Sequence, residues 1–302
     1  MIKYICINLE EKKIIFLNFL KGEKNPKFNV MSLSFNKRLQ KICNEKNNHL
    51  CIGLDIDPDR FPLGKDKSLE GMETFAKEVI DRTIEFCPVY KPNFAFYERF
   101  GALGYALLER IVDYINGNAI VIADAKRGDI GNTSRQYAKA ILATMGCDAI
   151  TISPYMGRDT IESFLDDIEK GIFVLSITSN FGAAEIQNNQ NDAKPLYEKI
   201  IQIAHELNQG DNIGLVVGAT QVDVMEKIRK LSKGLSWLVP GIGSQGGDLK
   251  KSVSISNQNG IGVINISRGI LYAGNGSMDD IVNSALKYTE QIRQTICNPI
   301  SC

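Results

Sequence analysis

IVIADAKRGDIGNT, from Ile120 to Thr133, opens with three β-branched residues, ends its extended part in Asp124 and Lys126, and turns through Gly128, Asp129 and Gly131 into a helical pattern. In a strand alternate residues share a face, so Ile120, Ile122, Asp124 and Lys126 point one way while Val121, Ala123 and Ala125 point the other. A carboxylate and an ammonium therefore end an otherwise apolar face. Alone, Asp-x-Lys-x-x-Asp is explained at least as well by an ion pair at a strand end as by chemistry. The strands on either side decide between the two.

From His49 onward, short β-rich runs alternate with longer amphipathic ones, the pattern of a parallel α/β sheet. Expected strand and helix pairs are Leu50 to Asp55 with Leu69 to Phe86, Val89 to Phe96 with Tyr97 to Ile115, Ala119 to Lys126 with Asn132 to Met145, and Ala149 to Ser153 with Asp159 to Glu169. Ser68 is the N-cap expected for the first of these helices. The series continues with Ile172 to Thr178, a long polar loop through Asn191 and a helix from Ala193 to Asn208. Ile213 to Gly218 pairs with Gln221 to Leu231, Ser236 to Val239 with Asp248 to Asn257, and Gly262 to Ser267 with Met278 to Ile296. Eight units in about 250 residues predict a closed (β/α)8 TIM barrel. An open doubly wound sheet ranks second, because no G-x-G-x-x-G turn follows the first strand.

Composition narrows the class. The chain has 302 residues, 44% hydrophobic and 23% charged, with 35 acidic residues balancing 35 basic ones. Without a net positive field, neither nucleic acid nor an anionic membrane is an expected partner. No apolar run reaches the roughly 18 residues of a membrane span, and Glu10 to Lys13 interrupts the apolar start, so a cytoplasmic location is expected. Seven cysteines form no C-x-x-C pair and the histidines are only His49 and His205, which predicts neither a disulfide framework nor a metal site. The sequons at Asn132, Asn265 and Asn275 then stay unmodified. Residues 1–32, rich in Lys, Asn and Ile, read as an extension outside the core fold, and 33–302 as the barrel domain. Met31 is the more natural start of the folded part.

A barrel carries its active site at the carboxyl ends of the strands and a phosphate site in the loops after strands seven and eight. The predicted ends agree: Asp55 on strand one, Lys91 and Asn93 on strand two, Asp124 and Lys126 on strand three, Thr178, Ser179 and Asn180 on strand five. The seventh loop is PGIGSQGGD, from Pro240 to Asp248, and the eighth is SRGILYAGNGS, from Ser267 to Ser277. Glycines such as Gly247 let backbone N–H groups approach an anion, Gln245 adds a donor, and Arg268 offers a fork for phosphate. Asp57 and Asp59 add negative charge near the mouth without an evident role.

With those blocks in this order, the sequence from about Phe35 to Ile296 resembles the orotidine 5′-phosphate decarboxylases, and most closely their longer branch, marked by DAKRGDIG. The matching pieces are GLDIDP at Gly53, KPNFAFYE at Lys91, DAKRGDIGNT at Asp124, TSN at Thr178, PGIGSQGGD at Pro240 and ISRGI at Ile266. The resemblance implies conversion of orotidine 5′-monophosphate to uridine 5′-monophosphate and CO2, without metal or organic cofactor. It assigns the proton to Lys126, the place beside the leaving carboxylate to Asp124, and an alternating charge network to Lys91, Asp124, Lys126 and Asp129. Asp55 and Asn93 would contact the ribose, Thr178 and Ser179 the pyrimidine, and Pro240, Gln245, Gly247, Ser267 and Arg268 the phosphate end. Ser267 departs from the Gly of many relatives.

The resemblance further implies a homodimer with shared sites, in which Asp129, Ile130 and Thr133 serve the neighbouring subunit. Any association with an orotate phosphoribosyltransferase would join separate chains, since residues 1–32 are too few to fold as one. The alternatives are a metal-dependent keto-sugar-phosphate decarboxylase or aldolase, and a non-catalytic nucleotide-binding barrel.

Overall fold

A computed structural model describes residues 32–298 except 63, 116, 189, 192, 193, 221, 244 and 245. The proposed extension 1–32 lies, but for Ser32, outside the described residues. Eight parallel strands close a barrel: β1 Leu50–Gly53, β2 Val89–Lys91, β3 Ile120–Arg127, β4 Ala149–Ile152, β5 Gly171–Ile177, β6 Ile213–Val217, β7 Ser236–Val239 and β8 Gly262–Ile266. Each strand pairs with its sequence neighbours, and β8 closes on β1 through Leu50 opposite Ile264. Among the described residues no helix is long and apolar enough to cross a membrane.

The period of two sorts side chains into layers. Val121, Ile150, Ile172 and Leu215 face out and are buried with the surrounding helices, among them α1 Leu69–Thr83 with Met72 and Phe75. Ser68 caps α1, its hydroxyl accepting from the Gly71 N–H at 3.1 Å. Cys51, Val89, Ile120, Ile122, Ala149, Phe173, Val216, Leu238 and Val263 form a separate cluster inside the barrel. One turn higher, Lys91, Asp124, Thr151 and Asn265 replace apolar groups and open onto a cavity. The interior is thus packed at the amino end and polar at the carboxyl end.

The packed end is closed by a preceding helix, Phe35–Glu45, whose Phe35, Leu39 and Cys43 belong to the interior cluster. Phe35 meets Phe173 edge-to-face, with centroids 5.8 Å apart, a favoured arrangement for aromatic pairs. Gly171 is required beneath it, because a Cβ there would lie 2.2 Å from the Phe35 ring. Asn36 is anchored on both sides, donating to the Ile213 carbonyl at 3.2 Å and accepting from the Ser236 hydroxyl at 2.7 Å.

Several expected boundaries move for local reasons. β2 stops at Lys91 rather than Phe96 because Pro92 has no N–H for a ladder. Asn93 then accepts from the Ala95 N–H at 3.3 Å and starts a short helix, Ala95–Glu98, before Gly101–Ile115. The helix expected over Asn132 to Met145 is α-helical over Gly131–Ala138 and π-helical over Lys139–Thr144. The next ends at Glu162 rather than Glu169, where Asp167 takes the Glu169 N–H at 2.9 Å in an Asx turn. The long loop after β5 contains a helix, Ala183–Gln187, and a two-residue pairing of Gln190–Asn191 with Lys194–Pro195. Pro195 holds the following helix to Leu196–Leu207. A further short helix, Arg268–Leu271, follows β8 before Met278–Cys297.

Truncating the aromatic plug tests this account of the barrel floor. Phe35→Ala is expected to cost about 3–5 kcal/mol of unfolding free energy, read as a lower urea midpoint at unchanged slope. A loss within the range of ordinary surface substitutions would show that this helix does not close the core.

Candidate active site

The carboxyl ends of the strands surround a cavity of about 450 Å³. Its polar wall is a chain of alternating charges. Asp124 accepts from Lys91 on Oδ2 at 2.7 Å and from Lys126 on Oδ1 at 2.5 Å. On its far side Lys91 lies 3.8 Å from Asp55 Oδ1, which has no hydrogen-bond partner among the described residues. The sequence is therefore Asp55, Lys91, Asp124, Lys126, with charges that cancel.

Burial grades this chain from end to middle to end. The side chains of Lys91 and Asp124 are 3% and 13% exposed, whereas that of Lys126 is 49% exposed. All four line the cavity, and Lys126 is the most exposed of them. Burial pushes the Lys91 ammonium toward its neutral form, but the carboxylates of Asp124 and Asp55 outweigh this and hold its pKa above the ordinary value. Burial likewise raises the Asp124 carboxyl, and Lys91 and Lys126 overcome it, holding the group well below the usual carboxylate range. Asp124 is also fixed through its backbone: its N–H donates to the Pro92 carbonyl at 3.0 Å, and its carbonyl accepts from the Phe94 N–H at 3.2 Å.

Across the cavity lie Thr178 and Ser179 after β5, Pro240 after β7, and Ser267 and Arg268 after β8. Arg268 is exposed and forms no ion pair among the described residues. The Ser267 hydroxyl is buried and has no hydrogen-bond partner among the described residues. Gly247 does not line the cavity; its N–H donates to the Gly241 carbonyl at 3.1 Å and closes the loop after β7. Gln245 lies outside the described residues.

Asp129, Ile130 and Thr133 do not line this cavity either. The Asp129 carboxylate accepts from the Ile130 N–H at 2.7 Å, and Ile130 is 60% exposed. Within one chain the charge chain therefore gains Asp55 at one end and does not reach Asp129. Asp57 and Asp59 acquire a role that the sequence did not suggest: both pair with Arg99, at 3.3 and 3.0 Å. The Tyr272 hydroxyl accepts from the Asp57 N–H at 2.7 Å and donates to the Asp55 carbonyl at 3.1 Å. The first loop is thus tied to the second and the eighth, and Asp55 is held at the wall.

Thr151, Gln187 and Asn265 also line the cavity, although none of them was expected at the site. Thr151 and Asn265 lie on predicted strands, so the alternation that found Asp124 could have found them. Gln187 lies in a stretch read as loop, where no period operates; its amide exchanges hydrogen bonds with Thr178, accepting from the N–H at 2.8 Å and donating to the hydroxyl at 2.9 Å.

The profile of the family described as orotidine 5′-phosphate decarboxylase / HUMPS matches residues 48–278. An orotidine 5′-phosphate decarboxylase of Dehalococcoides mccartyi is 43% identical over 270 residues, covering 87% of this chain and 97% of the relative. One of Natronomonas pharaonis is 45% identical over 251 residues, covering 82% and 92%. Among solved structures, the OMP decarboxylase of Leishmania donovani superposes with a TM-score of 0.76 at 34% identity, covering 87% of this chain and 98% of that one. The UMP synthase of the same organism gives 0.79 at 35% identity, with 87% of this chain covered but 57% of that one. With a profile matched across most of its barrel and relatives covered almost end to end, the chain belongs to the orotidine 5′-phosphate decarboxylase / HUMPS family.

Proposed function

We propose that the chain is an orotidine 5′-phosphate decarboxylase, and that Lys126 delivers the proton which replaces CO2 on the pyrimidine ring. The observation that carries this reading is the ammonium of Lys126, half exposed at the cavity end of a buried charge chain, with Arg268 exposed on the same cavity. The carbon–carboxylate bond breaks, its electron pair stays on the ring carbon, and the Lys126 proton is transferred there. A fixed ammonium both stabilises the developing carbanion and protonates it. Asp124 holds that ammonium and stands beside the substrate carboxylate, where two like charges raise the bound ground state relative to a transition state in which CO2 is leaving.

Asp55 and Asn93 would take the ribose, and Thr178 and Ser179 the pyrimidine edge. Arg268, with Ser267, Pro240 and Gln245, would hold the phosphate, whereas Gly247, expected to join them, closes the loop instead. Binding energy from that remote group lowers the barrier at the ring when the loops close on it. A divalent cation in the metal-dependent alternative would need the carboxylates that here grip an ammonium, since Lys91 occupies the space between Asp55 and Asp124.

The proposal extends to the assembly. A two-fold homodimer would bring Asp129, Ile130 and Thr133 to the neighbour's cavity, supported by their exclusion from their own. The activity is assigned to the barrel domain, 33–302, acting in the cytoplasm, with residues 1–32 as an extension outside it. Association with a separate orotate phosphoribosyltransferase is part of the same reading, supported by the likeness to a UMP synthase of which this chain spans 57%.

The direct assay follows the loss of orotidylate absorbance, which is expected to proceed at full rate with a chelator present; a magnesium requirement would overturn the reading. Lys126→Ala is expected to lower kcat by about 10²- to 10⁴-fold, the range for one general acid, with nucleotide affinity largely kept. Mixing inactive Lys126→Ala and Asp129→Ala chains should restore roughly one quarter of wild-type activity, because random two-fold dimers include hybrids with one intact site. No recovery would mean that Asp129 serves its own subunit.

A further inference from the structure

We propose that Thr151 is a positioning residue for this reaction: its hydroxyl couples the Asp124 carboxylate to the backbone of Lys126, so that the reacting pair is presented to the cavity as one unit. The inference rests on the proposed roles of Asp124 and Lys126. It begins from the register of β3 against β4. Ala123 pairs with Ile150 and Arg127 with Ile152, so Asp124, Ala125 and Lys126 stand opposite Thr151 alone. A bulge of this kind bends the strand and leaves extra backbone groups without ladder partners.

Lys126 sits in that bulge at φ +48°. Left-handed backbone is uncommon for a residue with a side chain, and such strain persists only where surrounding contacts over-determine it. Here one of those contacts is the Lys126 N–H, which donates to Thr151 Oγ1 at 3.0 Å. An N–H can only donate, so the Thr151 oxygen accepts and its own proton is left for a second partner. That partner is Asp124 Oδ1, at 3.1 Å. The direction of both bonds is therefore fixed by the chemistry of the backbone group.

The arrangement divides the work on Asp124. Oδ2 takes Lys91, while Oδ1 takes both Lys126 Nζ and the Thr151 hydroxyl. A rotation of the carboxylate that favoured one partner would break the others. Thr151 is 1% exposed, and its β-branched side chain is stiff about χ1, so the hydroxyl inherits its place from β4. Without the hydroxyl, the Lys126 N–H loses its partner and the strained bulge is free to relax, carrying the ammonium with it. Displacement of a reacting group by about 1 Å is enough to cost on the order of 100-fold in rate.

The test compares Thr151→Val, which keeps the shape and removes the hydroxyl, with Thr151→Ser, which keeps the hydroxyl. Thr151→Ala is measured in parallel, so that a folding defect peculiar to valine does not stand in for the result, and Lys126→Ala is the control for the underlying mechanism. Steady-state decarboxylation gives kcat and KM, calorimetry gives affinity for uridine 5′-monophosphate, and thermal melting reports folding. Thr151→Val and Thr151→Ala are expected to lose about 10- to 100-fold in kcat, the worth of a hydrogen bond to a charged group. Uridine 5′-monophosphate affinity should stay at its wild-type value, and Thr151→Ser should restore most of the rate. A wild-type kcat in both hydroxyl-less variants, a fall in kcat matched by an equal fall in nucleotide affinity, or no rescue by serine would each overturn the role of Thr151. Wild-type turnover in Lys126→Ala would instead overturn the mechanism on which it rests.

Discussion

Asp124 holds one negative charge between two ammonium groups at the end of a barrel strand, and most of the surrounding structure can be understood as what keeps it there. Burial of a carboxylate 13% exposed favours its protonated form; with Lys91 on one oxygen and Lys126 on the other, it is held ionised well below the usual range. The same contacts solve the problem of Lys91, an ammonium buried almost completely, whose charge is sustained by carboxylates on both sides. Removing either ion alone would leave the other with one opposite charge fewer in a poorly solvated place.

The barrel supplies what such a cluster requires. Its amino end is filled by apolar layers and closed by Phe35, so the strands have little freedom to shift where the charges sit. Its mouth is braced from outside: Arg99 joins the first loop to the segment after β2, Arg127 pairs with Glu98, and Tyr272 fastens the Asp55 loop to the segment after β8. The floor is thus rigid by packing and the rim by polar contacts. The strained backbone at Lys126 lies between the two, which is where a fold can hold a conformation that a free chain would abandon.

The reach of the charge chain separates two aspartates that a short motif presents as equivalents. Asp124 is locked at the wall of its own cavity, whereas Asp129 follows the turn out of the barrel and spends its carboxylate on the next backbone N–H. The apolar Ile130 beside it is left exposed. One motif thus supplies an inward half and an outward half, the division on which the proposed dimer rests.

Much of this was legible in the sequence. Eight alternating runs, each with its own period, fixed the barrel, and the period of two placed Asp124 on the inner face at the end of the third strand. Pro92, Asp167 and Pro195 show how far boundary detail fell short: one residue without an N–H, one Asx turn and one ring shifted element ends that hydrophobic period alone had placed elsewhere. The approach of Asp55 to Lys91, the grip of Arg99 on Asp57 and Asp59, and the place of Thr151 opposite a bulge appeared only in three dimensions. Periodicity is a relation among neighbours along the chain, so it fixes which face of its own element a side chain takes. Which side chains then meet depends on closure of the barrel and on strand register, and the left-handed turn at Lys126 exists only because tertiary contacts hold it against its local preference.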